Sequence, residues 1–251
     1  MKDNQLKRWQ EIELSISDLA FGGKGISKVD DLVFFIKDAI PGQIVNAKIS
    51  KIKKNYIEAY NIQTIKRSSD QVEPLCEHFD WCGGCTTQQL DYKKQLDYKQ
   101  KQIYDILNRI GKAEDLKINT IIGCDKIFNY RNKMEYTFSG VPWYIGDESY
   151  DDIIIGLHVP KRFDKILSIN KCHINHDIFN DILAISKKIS VKENMIPYNV
   201  RKHKGFLRFL VIKIGVHTNE VMVNLVTAGY KPDIIIPLVN APRDKIPSIK
   251  S

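Results

Sequence analysis

No apolar run in these 251 residues approaches the length of a membrane span. Stretches such as Ile153 to Ile155 and Ile234 to Leu238 fall far short of the about 20 residues a helix needs to cross a bilayer. The opening Met1-Lys2-Asp3-Asn4-Gln5 is polar, and neither end carries a lipidation signal. The expectation is therefore a soluble cytoplasmic protein without a leader and without a membrane partner. Cysteine is scarce, and its five copies are odd in number, which argues against a disulfide framework. The glycines of Gly22-Gly23-Lys24-Gly25 lack the spacing of a phosphate loop and lead toward a strand, so they read as a hairpin turn.

What is present is ordinary for a folded chain: 43% hydrophobic and 10% aromatic residues. Lys and Arg number 38 against 30 Asp and Glu, and the resulting +8 favours a polyanionic partner such as nucleic acid. Near the N-terminus, Ile12, Leu14 and Ile16 alternate with polar residues as on a half-buried strand. Leu32 to Ile36, Ile44 to Ile52 and Tyr56 to Ile65 repeat the pattern, with turn residues such as Pro41-Gly42 between them. Several short strands with no helical period between them predict a small closed barrel of the oligonucleotide-binding kind. On it, Lys51, Lys53, Lys54 and Tyr56 form a basic and aromatic cluster able to neutralise phosphates and stack on a base, or simply a solvated hairpin tip.

From Gln88 to Ile110 the period is helical, with Leu96, Ile103, Leu107 and Ile110 on a narrow stripe and Gly111 as the stop. Strands are then expected at 130–139, 153–159, 165–170, 206–216 and 221–227, interrupted by a helix at 176–189, which predicts an antiparallel α+β domain. In Tyr130 to Tyr136, strand alternation puts Arg131, Lys133 and Glu135 on one face and Met134 and Tyr136 on the other. Arg131 and Lys133 can meet RNA, or pair with Glu135.

Three cysteines lie in one turn, Cys76 and Cys82-Gly83-Gly84-Cys85. The two glycines let the backbone fold tightly enough for Cys82 and Cys85 to face one centre, which suits a zinc ion or an iron-sulfur cluster. Spacing does not separate the two. A fourth ligand must come from elsewhere: Cys172 ranks first and Cys124 second, with His78, His173 and His176 as zinc alternatives.

Taken in order, these segments resemble the iron-sulfur-containing RNA 5-methyluridine methyltransferases. The resemblance rests on Gly22-Gly23-Lys24-Gly25-Ile26 and Ile40-Pro41-Gly42, on the cysteine motif with Gln88-Gln89, and on Tyr130-Arg131-Asn132-Lys133-Met134. Ile155-Gly156-Leu157-His158, Gly205-Phe206-Leu207-Arg208 and Val221 to Thr227 add to it. It implies a TRAM β-barrel at 1–66, an iron-sulfur cysteine turn and following helix at 67–112, and a central α+β RNA-facing domain at 113–251. It also implies a [4Fe-4S] cluster on Cys76, Cys82, Cys85 and Cys172, a structural role for that cluster, and a buried or half-buried Cys124 without a ligand role.

The implied fold class is a β-rich α+β chain: an OB-like (TRAM) barrel, then a cluster-binding antiparallel α+β domain. No glycine fingerprint for S-adenosylmethionine is found, so the C-terminal class I methyltransferase domain is expected to be absent. In such enzymes a cysteine thiolate adds to uracil C6 before C5 is methylated, and a cluster ligand cannot serve as that nucleophile. The expectation is thus the RNA-recognition and cluster-binding portion of an S-adenosylmethionine-dependent uridine C5 methyltransferase. It is inactive alone and monomeric, acts on 23S rRNA in preference to tRNA and not on DNA, and reaches S-adenosylmethionine only through the missing domain. The alternative is a stand-alone RNA-binding protein with a structural iron-sulfur or zinc site.

Overall fold

The computed structural model describes residues 6–113, 116–143 and 153–251. Residues 1–5, where a leader was sought, lie outside the described residues. The chain forms two compact units, Met1–Pro74 with Cys85–Cys124, and Leu75–Gly84 with Asp125–Ser251.

The first unit carries β1 (Glu11–Ser15), β2 (Asp18–Leu19), β3 (Gly25–Val29), β4 (Leu32–Lys37), β5 (Ile44–Ile52) and β6 (Tyr56–Lys66). They form one sheet in the order β1-β5-β6-β4-β3-β2, antiparallel except for the parallel pair β4 and β6. The alternation of β5 buries Val45, Ala47 and Ile49 against Leu14, Ile16, Phe34, Ile36, Ile57 and Ala59. Closure comes from one bent segment. β1 pairs with β5, and after Ile16 donates to Gln43 O, Ser17 donates to Ile26 O and the chain continues as β2 on β3. The two sheet edges thereby share a strand, which removes the exposed edge. Gly25 sits where they meet: a Cβ there would lie 2.8 Å from the Ile16 side chain and 2.9 Å from Ala39 O.

The helix α1 (Tyr92–Asp105) starts later than its sequence period suggests, because Asp91 caps it by accepting from Lys93 N and Lys94 N. A single π-helical turn, Ile106–Ile110, continues it. No residue of α1 is buried, and Ile103 and Ile110 of the apolar stripe are exposed. The helix is held instead through polar groups: Gln102 Nε2 donates to Leu19 O at 2.8 Å, Lys101 pairs with Asp18, and Gln95 Nε2 donates to Leu90 O. Tyr98 adds apolar contact with Leu19, Ile40 and Leu90.

The second unit is built on β7 (Lys133–Ser139), β8 (Pro142–Trp143), β9 (Ile154–His158), β10 (Ile166–Ser168), β11 (Leu207–Ile214) and β12 (Val221–Thr227), ordered β12-β11-β7-β9-β10-β8. The sequence reading expects an antiparallel sheet, and the sheet is mixed, since β10 and β8 run parallel. Alternation reports which face of a strand is buried but not its direction, and a two-residue strand such as β8 offers no alternation at all. Among the described residues two helices accompany the sheet. α2 (Asp177–Lys192) buries Phe179, Ile182 and Leu183. α3 (Pro232–Lys245), absent from the sequence reading, contains Pro237 and Pro242, residues that normally mark helix ends.

Candidate functional site

The cysteine turn is wound by its own backbone. Phe79 N donates to Cys76 O at 3.1 Å, and Cys82 N donates to His78 O at 2.8 Å. Gly83 N donates to His158 O at the end of β9, and a Cβ at Gly83 would lie 3.1 Å from that oxygen, so the approach favours glycine. Cys76, Cys82 and Cys85 are half-buried. Two sulfurs accept hydrogen bonds: Cys82 Sγ from Gly84 N at 3.4 Å, and Cys85 Sγ from Gln88 Nε2 at 3.2 Å. Donors of this kind stabilise a thiolate. Cys76, Cys82 and Cys172 fall in the second unit and Cys85 opens the returning segment of the first.

Cys172 is buried and is held by one side chain at both ends of its backbone. Its N–H donates to Asn180 Oδ1 at 2.9 Å, and Asn180 Nδ2 donates to its carbonyl at 3.2 Å. The loop that follows is pinned to the start of β7, where Arg131 N donates to Ile174 O and Asn129 N to His173 O. The buried Tyr136 hydroxyl accepts from Asn175 Nδ2 at 2.5 Å. Burial first, then the charge of Cys172, raises its phenol above the ordinary range; Asn175 and Arg131 oppose that shift, and Cys82 adds to it. Cys82, Cys172 and Arg131 therefore all act on the Tyr136 hydroxyl.

The histidines offered as alternatives are otherwise engaged. His78 Nε2 accepts from Asn170 N at 3.1 Å. Burial, reinforced by His173 and opposed by Glu77, holds its imidazole below the ordinary value, in keeping with a neutral acceptor. His173 packs edge-on against Phe128, and His176 tilts against Phe179. Cys124 is exposed, not buried or half-buried as expected, and its N–H donates to Tyr92 Oη at 2.8 Å. Among the described residues no three or more His, Cys, Asp or Glu side chains are arranged to hold a metal ion. The donor chemistry, soft sulfurs receiving N–H groups, is compatible with a cluster, whose thiolates stand further apart than the ligands of one ion.

The basic residues sort into two places. Lys51, Lys53 and Lys54 are exposed at the β5–β6 hairpin and make no ion pair among the described residues, whereas Lys24, Lys37 and Lys48 of the same barrel are paired with carboxylates. Tyr56 is half-buried, its ring edge against Phe35 at 5.6 Å. An aromatic and cationic pair missed in the sequence lies beside this tip: Arg8 stacks at 4.5 Å on the exposed Trp9 and donates from Nε to Ser50 O. The signal was there in Lys7-Arg8-Trp9, but it precedes the first alternating strand. In the second unit, Arg131 just before β7 and Lys133 at its start are exposed, and neither pairs with Glu135 among the described residues. Lys133 lies directly across from Lys213.

Among the described residues no helix is long and apolar enough to cross a membrane. Residues 5–60 match the TRAM domain family. The chain is 37% identical over 242 residues to a Bacteroides thetaiotaomicron protein named an uncharacterized RNA methyltransferase, covering 93% of this chain and 53% of that protein. It is 32% identical over 248 residues to another so named from Caldanaerobacter subterraneus, covering 99% and 53%. The crystal structure of the Pyrococcus abyssi tRNA (uracil-54, C5)-methyltransferase in complex with S-adenosyl-L-homocysteine superposes with a TM-score of 0.65 at 25% identity, over 90% of this chain and 48% of that one.

These matches overturn the expected fold class in its last part, a protein without a methyltransferase domain. The chain follows a solved methyltransferase over nine-tenths of its length, so its fold is one found within methyltransferases. A missing glycine fingerprint speaks only for the residues in which it was sought, and this chain spans about half the length of the curated relatives it matches. The chain carries a TRAM domain at residues 5–60 and is similar, over more than nine-tenths of its length, to proteins named RNA methyltransferases.

Proposed function

We propose that these residues are the RNA-recognition and [4Fe-4S]-binding part of an S-adenosylmethionine-dependent methyltransferase that modifies uridine C5 in a structured RNA. The observation that carries the RNA reading is the set of cations Lys51, Lys53 and Lys54, without an ion pair among the described residues and exposed on a hairpin of the TRAM-matched barrel beside the Arg8–Trp9 stack. Exposed cations without carboxylate partners release counterions from a phosphate backbone, and a neighbouring indole offers a stacking surface. Arg131, Lys133 and Lys213 supply further phosphate contacts in the second unit. Ribosomal RNA was favoured from sequence, and the solved neighbour acts on a tRNA uracil, so both RNAs serve as substrates in the test.

The ligands of the cluster are Cys76, Cys82, Cys85 and Cys172. When bound, the cluster supplies a covalent pin between the cysteine turn and the loop before α2. The chain's own residues orient that pin: Asn180 fixes the backbone of Cys172, while Gly84 N and Gln88 Nε2 donate to the sulfurs of Cys82 and Cys85.

The test is RNA binding by anaerobically purified protein, measured by anisotropy across a salt series with ribosomal and transfer RNA transcripts. Replacing Lys51, Lys53 and Lys54 together by Ala is expected to lower the slope of log K against log salt by about two to three. An unchanged slope refutes the hairpin as an RNA contact. Iron and sulfide are assayed on the same samples; one zinc and no sulfide sinks the cluster.

A further inference from the structure

The segment Gly205-Phe206-Leu207-Arg208 has no role in either site described above, yet the backbone around it is specialised. Gly205 has φ +112°, and a Cβ there would overlap the carbonyl of Pro197. This close passage lets Tyr198 N donate to Leu207 O at 2.7 Å, so that Tyr198 is docked on the start of β11. One residue later the ladder slips: Leu207 faces Thr227 and Phe209 faces Val226, leaving Arg208 as the extra residue of a β-bulge. Bulges re-aim side chains, and this one turns the Arg208 guanidinium over two rings, 4.9 Å from Tyr198 and 5.4 Å from Phe209. Its Nε is buried and has no hydrogen-bond partner among the described residues.

Tyr198 and Phe209 form part of the wall of a cavity of about 310 Å³ on the outer face of the second sheet. Thr137 and His158 also line it, with Oγ1 and Nε2 3.3 Å apart. Phe163 stands at the mouth with 71% of its surface exposed, and Arg201 lies 6.0 Å over its ring. The volume is at the lower end of small-molecule pockets and admits one planar heterocycle, not a double helix. Its one carboxylate, Asp164, already pairs with Arg201 at 2.5 Å, and Lys165 also lines the wall. A phosphate would meet the Asp164 carboxylate; a flat neutral ring meets aromatic faces and two hydrogen-bonding edges. Cations for the flanking backbone stand on the same sheet face. Lys133 is four residues along β7 from Thr137, about 13 Å away, with Lys213 opposite it.

We propose that this pocket takes one unpaired nucleobase of the bound RNA, stacked on Phe163 and Tyr198 with its edge toward Thr137 and His158. The proposal rests on the RNA-binding reading above and adds a second, base-holding site to the backbone contacts. The test compares two RNAs, a hairpin with an unpaired loop and a blunt duplex of the same stem, by anisotropy with the full chain. Phe163→Ala removes an exposed ring and leaves the core intact; Tyr198→Ala and Tyr198→Phe separate the ring from its hydroxyl. Phe163→Ala and Tyr198→Ala are expected to weaken hairpin binding about five- to a hundred-fold, as loss of a base-stacking ring does, with Tyr198→Phe near wild type and duplex binding unchanged. Equal losses on hairpin and duplex, or none on either, overturn the pocket while the RNA reading stands. Failure of the wild-type chain to bind either RNA overturns both.

Discussion

Asn180 offers the sharpest test of how the cysteine site is held. Its amide makes two hydrogen bonds to the backbone of the buried Cys172, one at each end of the residue. Each contributes about 0.5–1.5 kcal/mol net, and Asn180→Ala also leaves the Cys172 N–H short of an acceptor. A loss of about 2 kcal/mol is therefore expected, a factor of about 30 in the folding equilibrium. With a urea dependence of about 2 kcal/mol per molar, the midpoint falls by about 1 M. Asn180→Asp does not rescue, because it turns a carboxylate oxygen toward the Cys172 carbonyl. The shift should appear in iron-free protein as well, since both bonds are made by the polypeptide alone. Iron bound after anaerobic reconstitution should fall in parallel. An unchanged midpoint together with full iron content refutes the idea that Asn180 positions the fourth thiolate.

Gly156→Ala places a methyl group against the Leu167 carbonyl between β9 and β10, and overpacking of that kind costs about 1–3 kcal/mol or more; a thermal melt matching wild type would contradict it. Asp164 is pushed up by burial, but a backbone N–H, Arg201 and Arg162 outweigh that and hold its carboxyl below the usual range. A depressed folded-state value means stability present above about pH 4 and lost as pH falls toward that value, so Asp164→Asn should flatten the acid limb of urea midpoints; an unaltered limb counts against the ion pairs. Cys82→Ser and Cys172→Ser should lose iron whereas the exposed Cys124→Ser keeps it, and equal iron loss in all three refutes the ligand set.

Legibility followed burial. In β5 Val45, Ala47 and Ile49 alternate into the barrel, and the strand runs from Ile44 to Ile52 as the sequence bounds it. The helix was found but its working face was not. The apolar stripe Leu96, Ile103, Leu107 and Ile110 suggested the docked side, whereas α1 is held by Gln95, Tyr98, Lys101 and Gln102. Polar docking leaves no hydrophobic period to read. α3 was hidden for the opposite reason, since Pro237 and Pro242 look like stops until the rest of the helix carries them.

By itself the sequence determined the three-cysteine turn, the basic hairpin and the alternating strands, because each depends on residue type and on spacing along one short segment. Only the tertiary structure decided that one bent strand closes the barrel, that Asn180 grips Cys172 and that Cys124 is exposed. It alone showed that a bulge at Arg208 and a glycine at 205 build an aromatic pocket over Thr137 and His158. Those features join residues distant in the chain, and what joins them is backbone hydrogen bonding and close approach, which local periodicity does not encode.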